Sequence, residues 1–303
     1  MQFAQVNGVK ICYESLGPED APAVMLIMGL GAQLISWPDQ FVKAFLKAGY
    51  RVIRFDNRDS GLSSRMDDGQ NWAVTKTTFI SSFLGRQIPA PYRLADMAKD
   101  SVALLDELGI QSVHIVGASM GGMIAQHMAF RYPDRVRSLV SFMSTSGSRR
   151  VPLGKMKCIL RLGRKAKSNK AEDIISHLRD GWKLHAGPGF PREPGELLEW
   201  AKKLYQRSYV PDGATRQFRA VLNDGSRVAR LKRIKAPTLA IHGAADPLVH
   251  PAGSKDIARH VPDAKLVLID GLGHEIPPKS IPVVTEHMLE HLKAADGVAE
   301  NDR

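Results

Sequence analysis

Short apolar runs alternate along the chain with longer stretches in which apolar positions recur every three or four residues. The runs at 9–14, 22–28, 50–55, 112–116, 136–142, 237–242 and 264–269 are short and apolar enough to be strands. Between them, 37–48, 94–108, 120–132, 251–260 and 279–294 carry the spacing of amphipathic helices. Strands alternating with helices predict a mostly parallel sheet covered on both faces, built from both halves of the chain.

The alternation lapses twice. Residues 145–235 are rich in helix formers but hold no comparable strand run, and Gly187-Pro188-Gly189, Pro191 and Pro194 punctuate them. This segment reads as a helical insertion, a cap, set into a core made of residues 1–144 and 236–303. A second long connection, 60–93, contains Phe79, Phe83, Pro89, Pro91 and Tyr92, and is expected to help line whatever the insertion covers. There is no internal repeat and no low-complexity tract.

Charge changes the picture more than composition does. The 303 residues are 44% hydrophobic, ordinary for a globular protein with a substantial core. The longest apolar stretch, Val24 to Leu30, is too short to span a bilayer. With no signal-peptide pattern, and two distant cysteines at 12 and 158, a cytoplasmic location is expected. The net charge is +11, and residues 146–235 hold 22 Lys and Arg against 8 Asp and Glu, leaving −3 for the rest. Such a segment suits a solvated face or an anionic partner. It has no nucleic-acid motif, so no nucleic-acid partner is expected; transient contact with a membrane surface through the basic insertion is the alternative.

The chemistry centres on one turn. Residues 113–125 run Val-His-Ile-Val-Gly-Ala-Ser-Met-Gly-Gly-Met-Ile-Ala, a strand that becomes a helix within a few glycine-rich positions. Gly117-x-Ser119-x-Gly121 fits a nucleophile elbow, in which a strained turn presents one hydroxyl beside the first free N–H groups of a helix. The plainer reading of Ser119 is a helix N-cap. A serine nucleophile needs a base and an orienting acid. Asp246 follows the strand ending at His242, and His274 follows the next strand, which gives the order Ser, Asp, His at one edge of the sheet. Asp270 is a rival acid, expected to shape the loop before His274 by capping backbone N–H groups. The loop Met28-Gly29-Leu30-Gly31-Ala32 supplies free N–H groups, as does Met120, next to the serine.

Other histidines lead nowhere definite. His287, Glu290 and His291 match a zinc-protease pattern formally, but a solvated helix face is the ordinary reading and no metal is expected. His242 reads as structural, and His114 and His127 as packing or surface residues. His177, His185, His250 and His260 support no assignment.

Taken together, Val-Gly-Ala-Ser-Met-Gly-Gly-Met-Ile-Ala-Gln, the turn Arg54-Phe-Asp-Asn-Arg-Asp-Ser-Gly-Leu-Ser63 and the insertion resemble the α/β-hydrolase superfamily over nearly the whole chain. Met28-Gly29 and Ser36-Trp-Pro-Asp resemble the esterase branch that includes aclacinomycin methylesterase, although many relatives carry His-Gly in place of Met28-Gly29. The resemblance implies an eight-stranded, mostly parallel sheet with helices on both faces and a helical cap. It implies Ser119, Asp246 and His274 as a catalytic triad, with Leu30 and Met120 as oxyanion-hole donors. The expected activity is hydrolysis of small-molecule carboxylic esters through an acyl-enzyme, without metal or organic cofactor. Trp182, Phe190, Trp200, Tyr205, Tyr209 and Phe218 are the insertion's candidates for substrate contact. A ligand receptor on the same fold, or an interaction protein using the basic insertion, are the alternative functions.

Overall fold

A computed structural model describes residues 1–162 and 164–301; positions 163, 302 and 303 of the expected segments lie outside it. Eight strands form one sheet: β1 (Gln2–Val6), β2 (Val9–Leu16), β3 (Ala23–Ile27), β4 (Arg51–Phe55), β5 (Val113–Ala118), β6 (Val136–Phe142), β7 (Thr238–Gly243) and β8 (Lys265–Ile269). Their spatial order is β1-β2-β4-β3-β5-β6-β7-β8. From β4 through β8 every pairing is parallel, while β1 on β2 and β2 on β4 are antiparallel.

Seven of these strands match the apolar runs; β1 is the one the pattern leaves out. Its residues alternate between buried Ala4 and Val6 and exposed neighbours, so it holds no continuous apolar run. Asn7-Gly8 joins it to β2 with φ of 48° and 77°, the left-handed pair that a two-residue hairpin turn requires.

Helices α1 (Asp39–Lys47), α2 (Lys76–Phe83), α3 (Leu94–Glu107) and α4 (Met120–Arg131) occupy the first half of the chain. Helices α5 (Met156–Leu162), α6 (Ala171–His185), α7 (Glu196–Arg207), α8 (Pro211–Asp224) and α9 (Val228–Leu231) lie between β6 and β7, and α10 (Ala252–His260) and α11 (Ile281–Asn301) follow. Two hydrophobic clusters sandwich the sheet. One joins Met25, Ile53 and Ile115 to Met97 and Leu104 of α3, Met128 of α4 and Ile257 of α10. The other joins Leu26, Val116 and Ile241 to Phe41 and Phe45 of α1 and to Val284 and Met288 of α11. Burial on both faces explains why β3 is apolar along its length and why β4 to β7 are buried at nearly every position rather than at alternate ones. The 60–93 connection contains α2, begun by Thr75, whose side chain accepts the Thr78 N–H.

The basic segment between β6 and β7 is fastened to the sheet by buried ion pairs. Arg207 of α7 reaches Asp56 at 2.7 Å, and Arg216 of α8 grips Asp59 through two bonds of 2.6 and 2.9 Å. Arg192 reaches Glu275 at 2.8 Å. Part of the segment's positive charge thus answers carboxylates of the core instead of forming a solvated face. No described helix is long and apolar enough to cross a membrane.

Candidate active site

The carboxyl ends of β5, β7 and β8 converge on one cavity, as parallel sheets arrange their ligand sites. Ser119 stands between β5 and α4 with φ 55° and ψ −118°, a conformation that a residue bearing a Cβ rarely adopts. The glycines around it leave room for backbone, not for side chains. A Cβ on Gly117 would overlap the Gly121 carbonyl, and one on Gly121 would overlap the Ile27 carbonyl of β3. A Cβ on Gly122 would stand 2.6 Å from that of Ser144. Ser119 N–H donates to Phe142 O at 2.8 Å, and the Ser144 hydroxyl donates to Ser119 O at 2.8 Å, which hold the turn in place. The Ser119 side chain makes no capping bond, so the N-cap reading is not realised.

Asp246 and His274 meet behind the serine. His274 Nδ1 lies 2.6 Å from Asp246 Oδ2, with both residues buried. A carboxylate accepts only, so Nδ1 carries the proton and Nε2 keeps its lone pair. The other oxygen, Oδ1, accepts the backbone N–H groups of Leu248 (2.8 Å) and Val249 (2.9 Å). His242 Nε2 adds a fourth bond, 3.1 Å from Oδ2 and 2.9 Å from Val249 O; both are acceptors, so the Ser254 hydroxyl donates to Nδ1 at 2.7 Å. Burial alone would raise the Asp246 pKa, but His274 and His242 hold it below the usual carboxylate range. Ser119 and His274 line the same cavity without a direct hydrogen bond among the described residues. Asp270, the rival acid, is exposed and caps nothing among the described residues; the turn there uses Gly271 at φ 71°.

The candidate anion site faces the serine from β3. Asn57 Nδ2 donates to Met28 O at 2.9 Å, and Gly31 N–H donates to Gln217 Oε1 of α8 at 2.7 Å, which hold the loop from both sides. Gln217 in turn donates to Arg58 O at 2.7 Å and Ser60 Oγ at 2.9 Å. Leu30 and Met120 line the cavity, and neither N–H has a protein acceptor among the described residues. Met120 opens α4, where a helix has no acceptor of its own to offer.

The cavity is about 940 Å³, room for a drug-sized molecule. Phe79 and Phe83 of α2 line it, as do Trp182, Trp200, Tyr209 and Phe218 of the β6–β7 insertion. Phe190 and Tyr205 do not. Phe190 packs on the hydrophobic cluster of the sheet, and Tyr205 is turned about 140° around α7 from Trp200. Trp200 and Trp182 meet edge to face at 4.6 Å, Trp182 stands 6.0 Å from His185, and His185 stands 5.8 Å from His274. His185 and Gln217 carried no sequence signal, and His242 read only as structural and Asn57 only as part of the 54–63 turn, since each acts through a contact made in space. Among the described residues no three His, Cys, Asp or Glu side chains converge as a metal site. His291, of the zinc-like pattern, is buried and bonds Pro237 O at 3.2 Å rather than sharing a solvated face.

A doubly covered parallel sheet with a serine on a sharp turn and an acid–imidazole pair beyond the next strands defines the α/β-hydrolase architecture. Residues 22–187 match the alpha/beta hydrolase fold family, and the chain belongs to it. It is 28% identical over 308 residues to rhodomycin D methylesterase DnrP of Streptomyces peucetius, covering 95% of this chain and 96% of that one. Among solved structures, the enol-lactonase of Burkholderia xenovorans LB400 superposes with a TM-score of 0.72 at 22% identity, covering 96% of this chain and 100% of the other. A meta-cleavage product hydrolase of Pseudomonas fluorescens IP01 gives 0.74 at 20%, covering 97% and 98%. These two likenesses bear on the fold.

Proposed function

We propose that this chain is a carboxylic ester hydrolase that works through Ser119, His274 and Asp246. The observation that carries the reading is the 2.6 Å Asp246–His274 bond beside a serine on a left-handed turn, all opening on one cavity. The methylesterase relative, matched over nearly the full length of both chains, supports an ester as the substrate.

In this reading His274 Nε2 takes the Ser119 proton as Oγ attacks the ester carbonyl carbon. Asp246 holds the tautomer and stabilises the imidazolium. The N–H groups of Leu30 and Met120 receive the developing oxyanion, each contributing on the order of 3 kcal/mol. The alcohol leaves with the proton from His274. Water, deprotonated by the same imidazole, then releases the acid from the acyl-enzyme. Residues 145–235 act as a cap over the core formed by 1–144 and 236–303, with Trp182, Trp200, Tyr209 and Phe218 on the substrate side. Every step uses protein groups and water, so the mechanism requires no metal or organic cofactor.

A fluorophosphonate should label the folded protein once, on Ser119, and Ser119→Ala should abolish both labelling and hydrolysis of nitrophenyl esters. An adduct on another serine, or an active Ser119→Ala variant, would overturn the assignment.

A further inference from the structure

The cavity wall carries more positive charge than its own carboxylates pair. Asp39, Asp59, Glu196 and Glu275 reach it, and each is bonded to an arginine. Arg149, Arg161, Arg164 and Lys203 line the same wall with no carboxylate partner among the described residues. Arg149, Arg164 and Lys203 are exposed to solvent.

Arg161 is not. It is half-buried: Nη2 donates to His177 O at 2.7 Å and Nε is enclosed, which leaves Nη1, without a partner among the described residues, as the donor a ligand in the cavity can meet. The guanidinium lies against α6 at Gly181, with Nε 3.9 Å from where a Cβ would stand. His177, Gly181 and His185 recur every four residues and share one stripe of that helix. His185 ends the stripe beside His274, and its Nε2 is also buried without a partner. Burial, aided by Arg161, pushes the His177 imidazole down; burial, aided by His274, pushes His185 down to about 3. Both rings are neutral at ordinary pH, so the guanidinium supplies the stripe's charge.

We propose that this stripe is a subsite for a carboxylate carried by the ester substrate, received by the Arg161 guanidinium through Nη1, with His185 between it and the reacting centre. The inference rests on the esterase reading and adds a substrate class: monoesters of dicarboxylic acids, or esters whose acyl part ends in an acid. Gly181 and His185 are about 6 Å apart along the helix, so the carboxylate sits beyond His185, well separated from the scissile carbonyl. An arginine fits this task because its charge persists when it is buried and its N–H groups match a carboxylate's geometry.

The test compares kcat/KM for nitrophenyl monoesters of linear dicarboxylic acids, from succinate to sebacate, with nitrophenyl alkanoates of equal length. The best monoester should exceed its matched alkanoate by at least about tenfold, and Arg161→Gln should remove at least about tenfold of kcat/KM for the monoester while changing the alkanoate less than about threefold. Arg161→Lys should retain part of the preference. With no variant at all, the free dicarboxylate of the preferred length should inhibit alkanoate hydrolysis competitively, and the corresponding diol should not. Equal or better alkanoate turnover at every length, parallel loss of both substrates in Arg161→Gln, or equal inhibition by dicarboxylate and diol would overturn the subsite while leaving the esterase reading intact. Hydrolysis that persists in Ser119→Ala would instead overturn the esterase reading.

Discussion

Asp246→Asn removes no atoms from the site, yet it leaves no arrangement in which every bond survives. The carboxylate accepts four bonds: two backbone N–H groups on Oδ1, and His274 Nδ1 and His242 Nε2 on Oδ2. An asparagine offers one oxygen and one NH2. If its oxygen faces the histidines, its NH2 meets the Leu248 and Val249 N–H groups, donor against donor. Leaving such buried groups unpaired costs about 1–3 kcal/mol each, so roughly 2–6 kcal/mol in all. If its NH2 faces the histidines, the backbone bonds survive and His274 must turn its lone pair to Nδ1. The proton then sits on Nε2, the nitrogen that should receive the Ser119 proton. The second arrangement is the less costly one to fold, so the substitution should appear as lost rate more than lost stability. In serine proteases with a Ser-His-Asp triad, this exchange lowers kcat about 10⁴-fold. A loss on the order of 10²–10⁴ is expected here, equivalent to about 2.7–5.4 kcal/mol of barrier. Asp270→Asn, at an exposed carboxylate, should cost less than about twofold, within the usual effect of a surface change. The assay is kcat at saturating ester, with thermal unfolding followed by circular dichroism. An Asp246→Asn enzyme within tenfold of the parent, or a larger loss at Asp270, would refute the tautomer argument.

Three further outcomes are expected. Gly121→Ala forces a Cβ into the Ile27 carbonyl and should abolish activity and soluble expression together; a stable, active variant would contradict the tight strand–helix approach. Arg216→Met leaves Asp59 buried without its bidentate partner and should lower unfolding stability by about 3–5 kcal/mol, measured in urea. Burial lowers the pKa of His114 and His185, so both should be neutral in the folded protein down to about pH 5. The stability this confers is fully present above the ordinary histidine value near ~6.5 and is lost as pH falls from there toward the folded values. Flat ring-proton shifts in NMR between about pH 8 and 5 would bear this out, and a titration inside that window at either ring would refute it.

Most of the framework could be read along the chain because burial on both faces writes itself into consecutive residues. Val24–Ile27, Ile53, Val113, Ile115 and Val116 are apolar for that reason, and the helices between them repeat their apolar face at a fixed period. The exception, β1, lies at an edge and buries only alternate residues, so the Asn7-Gly8 turn was its only clear trace. The elbow was legible for a different reason. The turn's own backbone at Gly117, the β3 carbonyl at Gly121 and Ser144 at Gly122 exclude a side chain, and the three glycines this requires stand close together in the sequence.

The remaining parts of the site are made by residues distant in the chain. Which of two nearby aspartates meets His274 was decided by the loop after β7, which turns Asp246 inward, whereas Asp270 points to solvent. The roles of His242, His185, Gln217 and Arg161 depend on distances set by packing, and nothing beside them in the sequence encodes those distances. The same holds for the basic insertion: composition alone could not separate the arginines that pair with Asp56 and Asp59 from those that face the cavity. Hydrophobic period acts between neighbours in the chain and the elbow's need for glycine shows as adjacent small residues, so the sequence by itself determined seven strands of the sheet, the helices between them and the strained serine. Charge pairing and hydrogen bonding act through space, and only the folded chain decided which carboxylate, imidazole and guanidinium meet.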